Sequence, residues 1–300
     1  MDSFVTLICN PAKPVLDETQ VAQVVDLLRA EVAGAETRLL APGVAADIAL
    51  ASSVSDPKAL AERVSSTLAS APIDVIVQPA SNRKKRLLIA DMDSTIIQQE
   101  CIDELAEFAG KRAEISAITE RAMRGELDFE GALKERVGML KGLPESVLSE
   151  TFETRIKLTP GARTLVQTMK KFGAYTALVS GGFTYFTNRV AAAAGFDFND
   201  ANTLLVHEGA LTGEVGMPIR GRAAKEAALL RMSDEQKIPL EETLAIGDGA
   251  NDLSMLGRAG LGVAFHAKPA VAAAAHARIN HSDLTALLYL QGIPQSEFVQ

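Results

Sequence analysis

Leu87-Leu88-Ile89-Ala90-Asp91-Met92-Asp93-Ser94-Thr95 is the stretch on which the fold of this 300-residue chain turns. Four apolar residues in succession suit a strand buried on both faces, as in a parallel sheet. Two carboxylates follow where that strand must end, and a buried charge is costly unless a partner compensates it. Asp91 and Asp93 stand two residues apart. In extended backbone they share a face, repel one another and call for a cation.

Outward from this stretch, residues 175–179, 243–246 and 262–264 are further apolar runs, with helical patterns beginning at Pro160, Phe183, Gly221 and Asn251. Strands alternating with helices predict a parallel sheet covered on both faces, a Rossmann-like α/β core. Residues 98–158 interrupt it with helical spacing and no convincing strand. They read as a helical cap inserted after the first core strand, over the carboxyl ends where open α/β sheets bind ligands. Upstream, residues 1–79 read strand, helix, strand, strand, helix, strand, a split βαβ order. Ala80 to Arg86 carries Arg83-Lys84-Lys85-Arg86 and reads as a solvated linker. The expected domains are 1–80, a core of 81–97 with 159–300, and a cap of 98–158.

Composition narrows the function. Lys and Arg number 30 against 38 Asp and Glu, a net charge of −8, which argues against nucleic acid as a partner. No run approaches the length of a membrane span. Met1-Asp2-Ser3-Phe4 lacks the basic start of a signal peptide. Cys9 and Cys101 cannot build a disulfide framework, so a cytoplasmic protein with no membrane partner is expected.

Two more strand ends carry chemistry. Val179-Ser180-Gly181-Gly182-Phe183 passes from an apolar run through a hydroxyl and two glycines into a helix, a turn that suits an anion as well as it suits tight backbone. Ala245-Ile246-Gly247-Asp248-Gly249-Ala250-Asn251-Asp252 again meets carboxylates on a Gly-rich turn. Asp248 and Asp252 are oxygen donors for a hard divalent cation. Lys225, within a helical pattern, can neutralise phosphate or carboxylate. Carboxylates, an anion-accepting turn, a hydroxyl and a lysine at one rim suit magnesium-assisted phosphoryl transfer.

These residues resemble the haloacid-dehalogenase-type phosphatase superfamily. Asp91-x-Asp93-x-Thr95, Ser180-Gly181-Gly182, Lys225 and Gly247-Asp248-Gly249-x-x-Asp252 match its four motifs in order, over about residues 87–290. Within it the chain is most similar to the phosphoserine phosphatase family. Glu100, Met123-Arg124-Gly125-Glu126-Leu127-Asp128-Phe129 and Glu135-Arg136-Val137 carry that closer likeness. The resemblance implies hydrolysis of O-phospho-L-serine, the last step of L-serine biosynthesis, with Asp91 as nucleophile and Asp93 as general acid and base. It implies Mg2+ on Asp91, Asp93 and Asp248, with Asp252 acting through a water, although the oxygen set alone suits manganese equally. Ser180, Gly181, Gly182 and Lys225 would hold the phosphoryl group, and Asn251 would orient the metal shell or substrate. Glu100 would take the substrate ammonium, Arg136 its carboxylate, and Met123 and Phe129 would cover the site. The competing readings are a phosphatase or phosphotransferase for another small phosphomonoester, such as phosphohomoserine, and a regulatory amino-acid-binding protein. Residues 1–80 resemble a ferredoxin-like, ACT-like domain in element order. A sensing version commonly has a glycine after the first strand, where this chain has Asn10-Pro11-Ala12-Lys13-Pro14. Packing or a homodimer contact is therefore its expected use.

Overall fold

The computed structural model describes residues 2–31, 35–69, 71–123 and 126–300, with residues 31, 120, 122 and 123 described by backbone alone. The first unit holds β1 (Ser3–Cys9), α1 (Glu18–Glu31), β2 (Glu36–Ala41), β3 (Ala45–Leu50), α2 (Pro57–Thr67) and β4 (Ile73–Pro79). Its sheet is antiparallel in the order β2-β3-β1-β4, the ferredoxin-like arrangement. Asp56 caps α2 by accepting the Ala59 N–H at 3.0 Å, with Pro57 in the first turn.

The core follows with β5 (Leu87–Ala90). The cap comes next: α3 (Cys101–Ala109), α4 (Arg112–Met123), α5 (Phe129–Gly138) and α6 (Ser146–Thr154). The chain then runs α7 (Ala162–Lys171), β6 (Tyr175–Phe183), α8 (Thr184–Ala194), β7 (Phe198–Asn202), β8 (Leu204–His207), β9 (Ala210–Val215) and α9 (Arg222–Glu235). It ends with β10 (Thr243–Gly247), α10 (Leu253–Arg258), β11 (Leu261–Phe265), α11 (Pro269–Ala274), β12 (Ala277–Ile279) and α12 (Ala286–Leu290). The core sheet is parallel in the order β12-β11-β10-β5-β6-β7. It has two strands that the apolar runs did not announce, β7 and β12, and both are edges. An edge strand has one neighbour and needs no continuous apolar run, so Asn199, Asp200 and Asn202 are tolerated in β7.

The antiparallel hairpin β8–β9 is also unannounced, and it grips the cap. Gly142 N–H donates to the Leu211 carbonyl, Leu211 N–H to the Leu143 carbonyl and Glu145 N–H to the Gly209 carbonyl, each at 2.8 Å. At the cap's base the two connecting segments pair at Ile97 and Leu158.

The first unit is docked on the core. One face of its sheet packs Val5, Leu7 and Ile48 with Val24, Leu28, Leu60 and Val64. Residues of opposite parity, Ile8, Ala45 and Ile76, belong to one cluster with Leu287, Leu288 and Tyr289. Asp74, 4% exposed, accepts N–H donors of Asn280 (2.7 Å), His281 (3.1 Å) and Ser282 (2.9 Å). The connecting segment is a joint, which corrects its reading as a solvated linker. Arg83 forks onto both oxygens of Asp47 at 2.6 and 2.7 Å and donates to the Leu290 carbonyl at 2.8 Å. Lys85 is buried, with Nζ 2.7 Å from the Glu241 carbonyl, and burial pulls its ammonium down to about 8. Lys84 and Arg86 remain exposed.

Candidate active site

Strands β5, β6 and β10 are neighbours or next neighbours in a parallel sheet, so their carboxyl ends deliver Asp91, Ser180 and Asp248 to one rim. After Asp91 the chain enters one wide turn, Met92–Ile96, in which Asp93 keeps extended backbone and Ser94 is left-handed at φ 54°. Such a conformation costs a non-glycine residue energy and is found where surrounding structure enforces it. The turn aims both carboxylates inward.

Lys225 is the hub. Although it lies on a helix, it is 2% exposed, and its Nζ stands 2.6 Å from Asp91 Oδ1 and 2.6 Å from Asp252 Oδ1. Its two carboxylate partners raise its pKa and outweigh the burial that lowers it, so it stays charged. Asp252 is fully buried and also accepts the Gly249 N–H at 3.0 Å. A side chain on Gly247 would strike that carboxylate, so glycine is required there. Burial, then the Asp252 charge, push Asp91 well up, while Lys225 pulls it back. Asp248 is pushed up to about 6 by the same two causes, burial first.

Asp93 is held differently. Its Oδ1 accepts the Cys101 N–H at 3.0 Å, and the Ser180 hydroxyl donates to its Oδ2 at 3.4 Å. Burial raises its pKa despite these donors. Ser180 Oγ in turn accepts the Gly182 N–H at 2.8 Å. A Cβ on Gly182 would lie 2.6 Å from Asp93 Oδ2, so only glycine lets the turn approach. From the cap, Glu100 accepts the Ser94 hydroxyl at 2.7 Å, and burial in the cleft followed by the Asp93 charge raises it to about 7. Arg136 feels the charges of Glu100, Asp103 and Asp93, and donates to the Ala132 carbonyl at 3.2 Å. Phe129 lays its ring where a Cβ on Gly181 would be 3.0 Å away and one on Gly221 2.9 Å away, closing the cap onto two core turns.

Residues 88–257 match the family model for haloacid dehalogenase-like hydrolases. The chain belongs to the haloacid dehalogenase-like hydrolase family. Among curated relatives it is 44% identical over 256 residues to the phosphoserine phosphatase of Streptomyces coelicolor, covering 85% of this chain and 62% of that one. It is 50% identical over 204 residues to the phosphoserine phosphatase of Haemophilus influenzae, covering 68% of this chain and 65% of that one. The chain thus spans less than two thirds of the length of these relatives. Among solved structures, a HAD family hydrolase from Salmonella enterica serovar Typhi superposes with a TM-score of 0.85 at 32% identity, over 96% of this chain and 98% of that one.

A haloacid dehalogenase-like hydrolase with this donor set can hold a hard divalent cation. Oxygens of Asp91, Asp248 and Asp252 lie within 4.8 Å of one another. Three carboxylates against the single Lys225 ammonium leave two negative charges in excess when all are ionised, which a dication balances. The structure brings Asp91, Asp93, Ser180, Gly181, Gly182, Lys225, Asp248 and Asp252 together, with Asn251 on the same turn and Glu100, Phe129 and Arg136 above. The side chain of Met123, and all of Arg124 and Gly125, lie outside the described residues. Sequence reasoning missed the Cys101 N–H, the Ser94 hydroxyl on Glu100, and Gly221 beneath Phe129. A backbone donor has no sequence signature, whereas Gly221 at a helix start was visible as a glycine without its contact.

Proposed function

We propose that this chain is a phosphatase that hydrolyses O-phospho-L-serine to L-serine and phosphate, the last step of L-serine biosynthesis, with Mg2+ as its metal. The observation that carries the reading is the pairing of two charge sets across one cleft. Below lie the carboxylates of Asp91, Asp93, Asp248 and Asp252, a hydroxyl–glycine turn and a buried lysine; above lie Glu100 and Arg136, of opposite sign, each sensing Asp93. A phosphorylated amino acid carries matching groups: phosphate, ammonium and carboxylate. The names of the relatives support the same substrate.

Asp91 attacks phosphorus and forms an aspartyl-phosphate, and the serine oxygen leaves with a proton from Asp93. Asp93 then takes a proton from the water that cleaves the acyl phosphate and regenerates Asp91. Its raised pKa suits both duties. Ser180, Gly181, Gly182 and Lys225 hold the phosphoryl oxygens. Asp91, Asp248 and the backbone of Asp93 would hold Mg2+, with Asp252 behind them, and the ion would stabilise charge developing on the phosphoryl group. Arg136 receives the carboxylate in a bidentate pair and Glu100 the ammonium. The free, buried thiols of Cys9 and Cys101 support a reducing cytoplasm, and among the described residues no helix is long and apolar enough to cross a membrane.

The test is phosphate release from O-phospho-L-serine with Mg2+, then with EDTA, beside phosphothreonine, phosphohomoserine and p-nitrophenyl phosphate. Metal-dependent release fastest from phosphoserine is expected. Arg136→Ala should then lower kcat/KM about 10²-fold for phosphoserine, as loss of a desolvated charge partner does, and far less for the aryl phosphate. Equal losses on both would remove the carboxylate role.

A further inference from the structure

We propose that Asn202 is a positioning residue for phosphoryl transfer: it locks the peptide joining Gly181 and Gly182 to the segment that starts the Lys225 helix, so that both anion-binding elements address one phosphoryl group. The proposal rests on the reading of the turn at 180–182 and Lys225 as the phosphoryl-binding groups.

The need for such a lock is visible in the sheet. Strands β6 and β7 pair in register at Val179 and Asp200, and again at Phe183 and Asn202. Three residues, 180–182, face a single one on β7, so this turn bulges from the ladder and none of the three has a register partner there. The Asn202 side chain supplies a replacement. It is 1% exposed, and its Nδ2 donates to the Gly181 carbonyl at 2.8 Å.

The consequence follows from peptide geometry. In a trans peptide the C=O and the following N–H point in opposite directions. Holding the Gly181 carbonyl towards Asn202 therefore turns the Gly182 N–H the other way, where it meets Ser180 Oγ at 2.8 Å. That hydroxyl is the one that donates to Asp93 Oδ2. One amide thus sets the orientation of a chain of groups ending on the general acid.

The same amide reaches the second element. Nδ2 also donates to the Arg220 carbonyl at 3.0 Å, and Oδ1 accepts the Arg220 N–H at 2.6 Å. Arg220 precedes Gly221, where α9 begins, and Lys225 stands on its first turn. Two donors and one acceptor in one short planar group are offered by asparagine alone: aspartate lacks the donors and glutamine is longer. The Asp200 side chain, on the same strand, binds the Arg220 side chain (Nε to Oδ2, 3.0 Å) and makes no hydrogen bond to the turn at 180–182. It is therefore the control for simple anchoring of the 220 segment.

The experiment compares the parent protein, Asn202→Asp and Asp200→Asn on phosphoserine and on p-nitrophenyl phosphate, with inhibition by inorganic phosphate and Tm measured on each. For N202D, kcat is expected to fall about 10²-fold on both substrates, as expected of a misplaced reacting group. Phosphate inhibition should weaken in parallel, with the KM ratio between the two substrates unchanged. D200N should stay near the parent in kcat. Asn202→Ser, which keeps one donor, should fall between and serves the same comparison if the aspartate variant does not fold. An active parent whose folded N202D or N202S keeps kcat and phosphate inhibition within about twofold, changing only Tm, overturns the role of Asn202 alone. A parent that neither turns over a phosphomonoester nor binds inorganic phosphate overturns the reading of the site as well.

Discussion

Asp91 is paired with the Lys225 ammonium and Asp93 with the Cys101 N–H and the Ser180 hydroxyl, the difference on which their proposed roles rest. On the proposed mechanism the Lys225 ion pair holds Asp91 as the carboxylate a nucleophile must be, against the burial that pushes it well up, while burial raises Asp93, the proposed acid, and leaves it able to carry a proton. Asp91→Asn should reduce phosphate release to background while leaving the fold intact by circular dichroism; retained turnover would remove the covalent route. Glu100 gives a pH signature. At about 7 in the free protein it is protonated below and ionised above, and only the ionised form receives an ammonium. Accordingly kcat/KM for phosphoserine should climb with pH through about 7, and Glu100→Gln should flatten that limb, as should p-nitrophenyl phosphate, which has no ammonium. The sign for stability is opposite. A carboxyl raised from 4.5 to about 7 binds its proton more tightly in the folded protein, so its contribution is lost as pH rises across that window.

At the scale of elements, two of the contacts that hold the cap differ in kind. Phe129 rests on Gly181 and Gly221, and the β8–β9 hairpin pairs with residues 142–145. Gly221→Val would place carbon where the ring lies. The expected outcome is a cap held ajar: phosphoserine turnover down by about tenfold or more through water entry and lost Arg136 contact, with little change in Tm. An unchanged rate would show that the ring has room to move aside. Helices and buried strands were legible beforehand because each advertises a period or a continuous apolar run. The hairpin was not, since Leu205 and Val206 face solvent and its partners come from the cap, more than sixty residues earlier.

For the whole molecule, the first unit is part of the body of the protein. Its sheet covers α12 with one face, and Asp74 gathers three backbone N–H groups of the segment after β12. Asp74→Ala removes a buried carboxylate that accepts all three N–H groups and leaves that of the buried Ser282 unmatched, a loss of roughly 3 kcal/mol. Thermal unfolding should move down by several degrees as a single transition; two separated transitions would mean that the units unfold independently. The absence of a glycine after β1 also acquires a context: the Asn10 amide donates to the His281 carbonyl at 3.2 Å, and the Ser282 hydroxyl donates to the Cys9 carbonyl at 3.1 Å. The end of β1 is occupied in joining the two units.

The sequence by itself determined the parallel core, the inserted helical cap, the split βαβ order of the first unit, and the acidic, glycine and lysine motifs. These are local statements: an apolar run or a helical period dictates its element, and a motif at a strand end inherits its place from that strand. Tertiary structure alone decided the edge strands, the hairpin's hold on the cap, the burial of Lys85 and the fork of Arg83 onto Asp47 in the joint, and the reach of Asn202 to Gly181. Each depends on which backbone donors and acceptors are left unpaired once distant segments meet, and that is a property of the assembled chain.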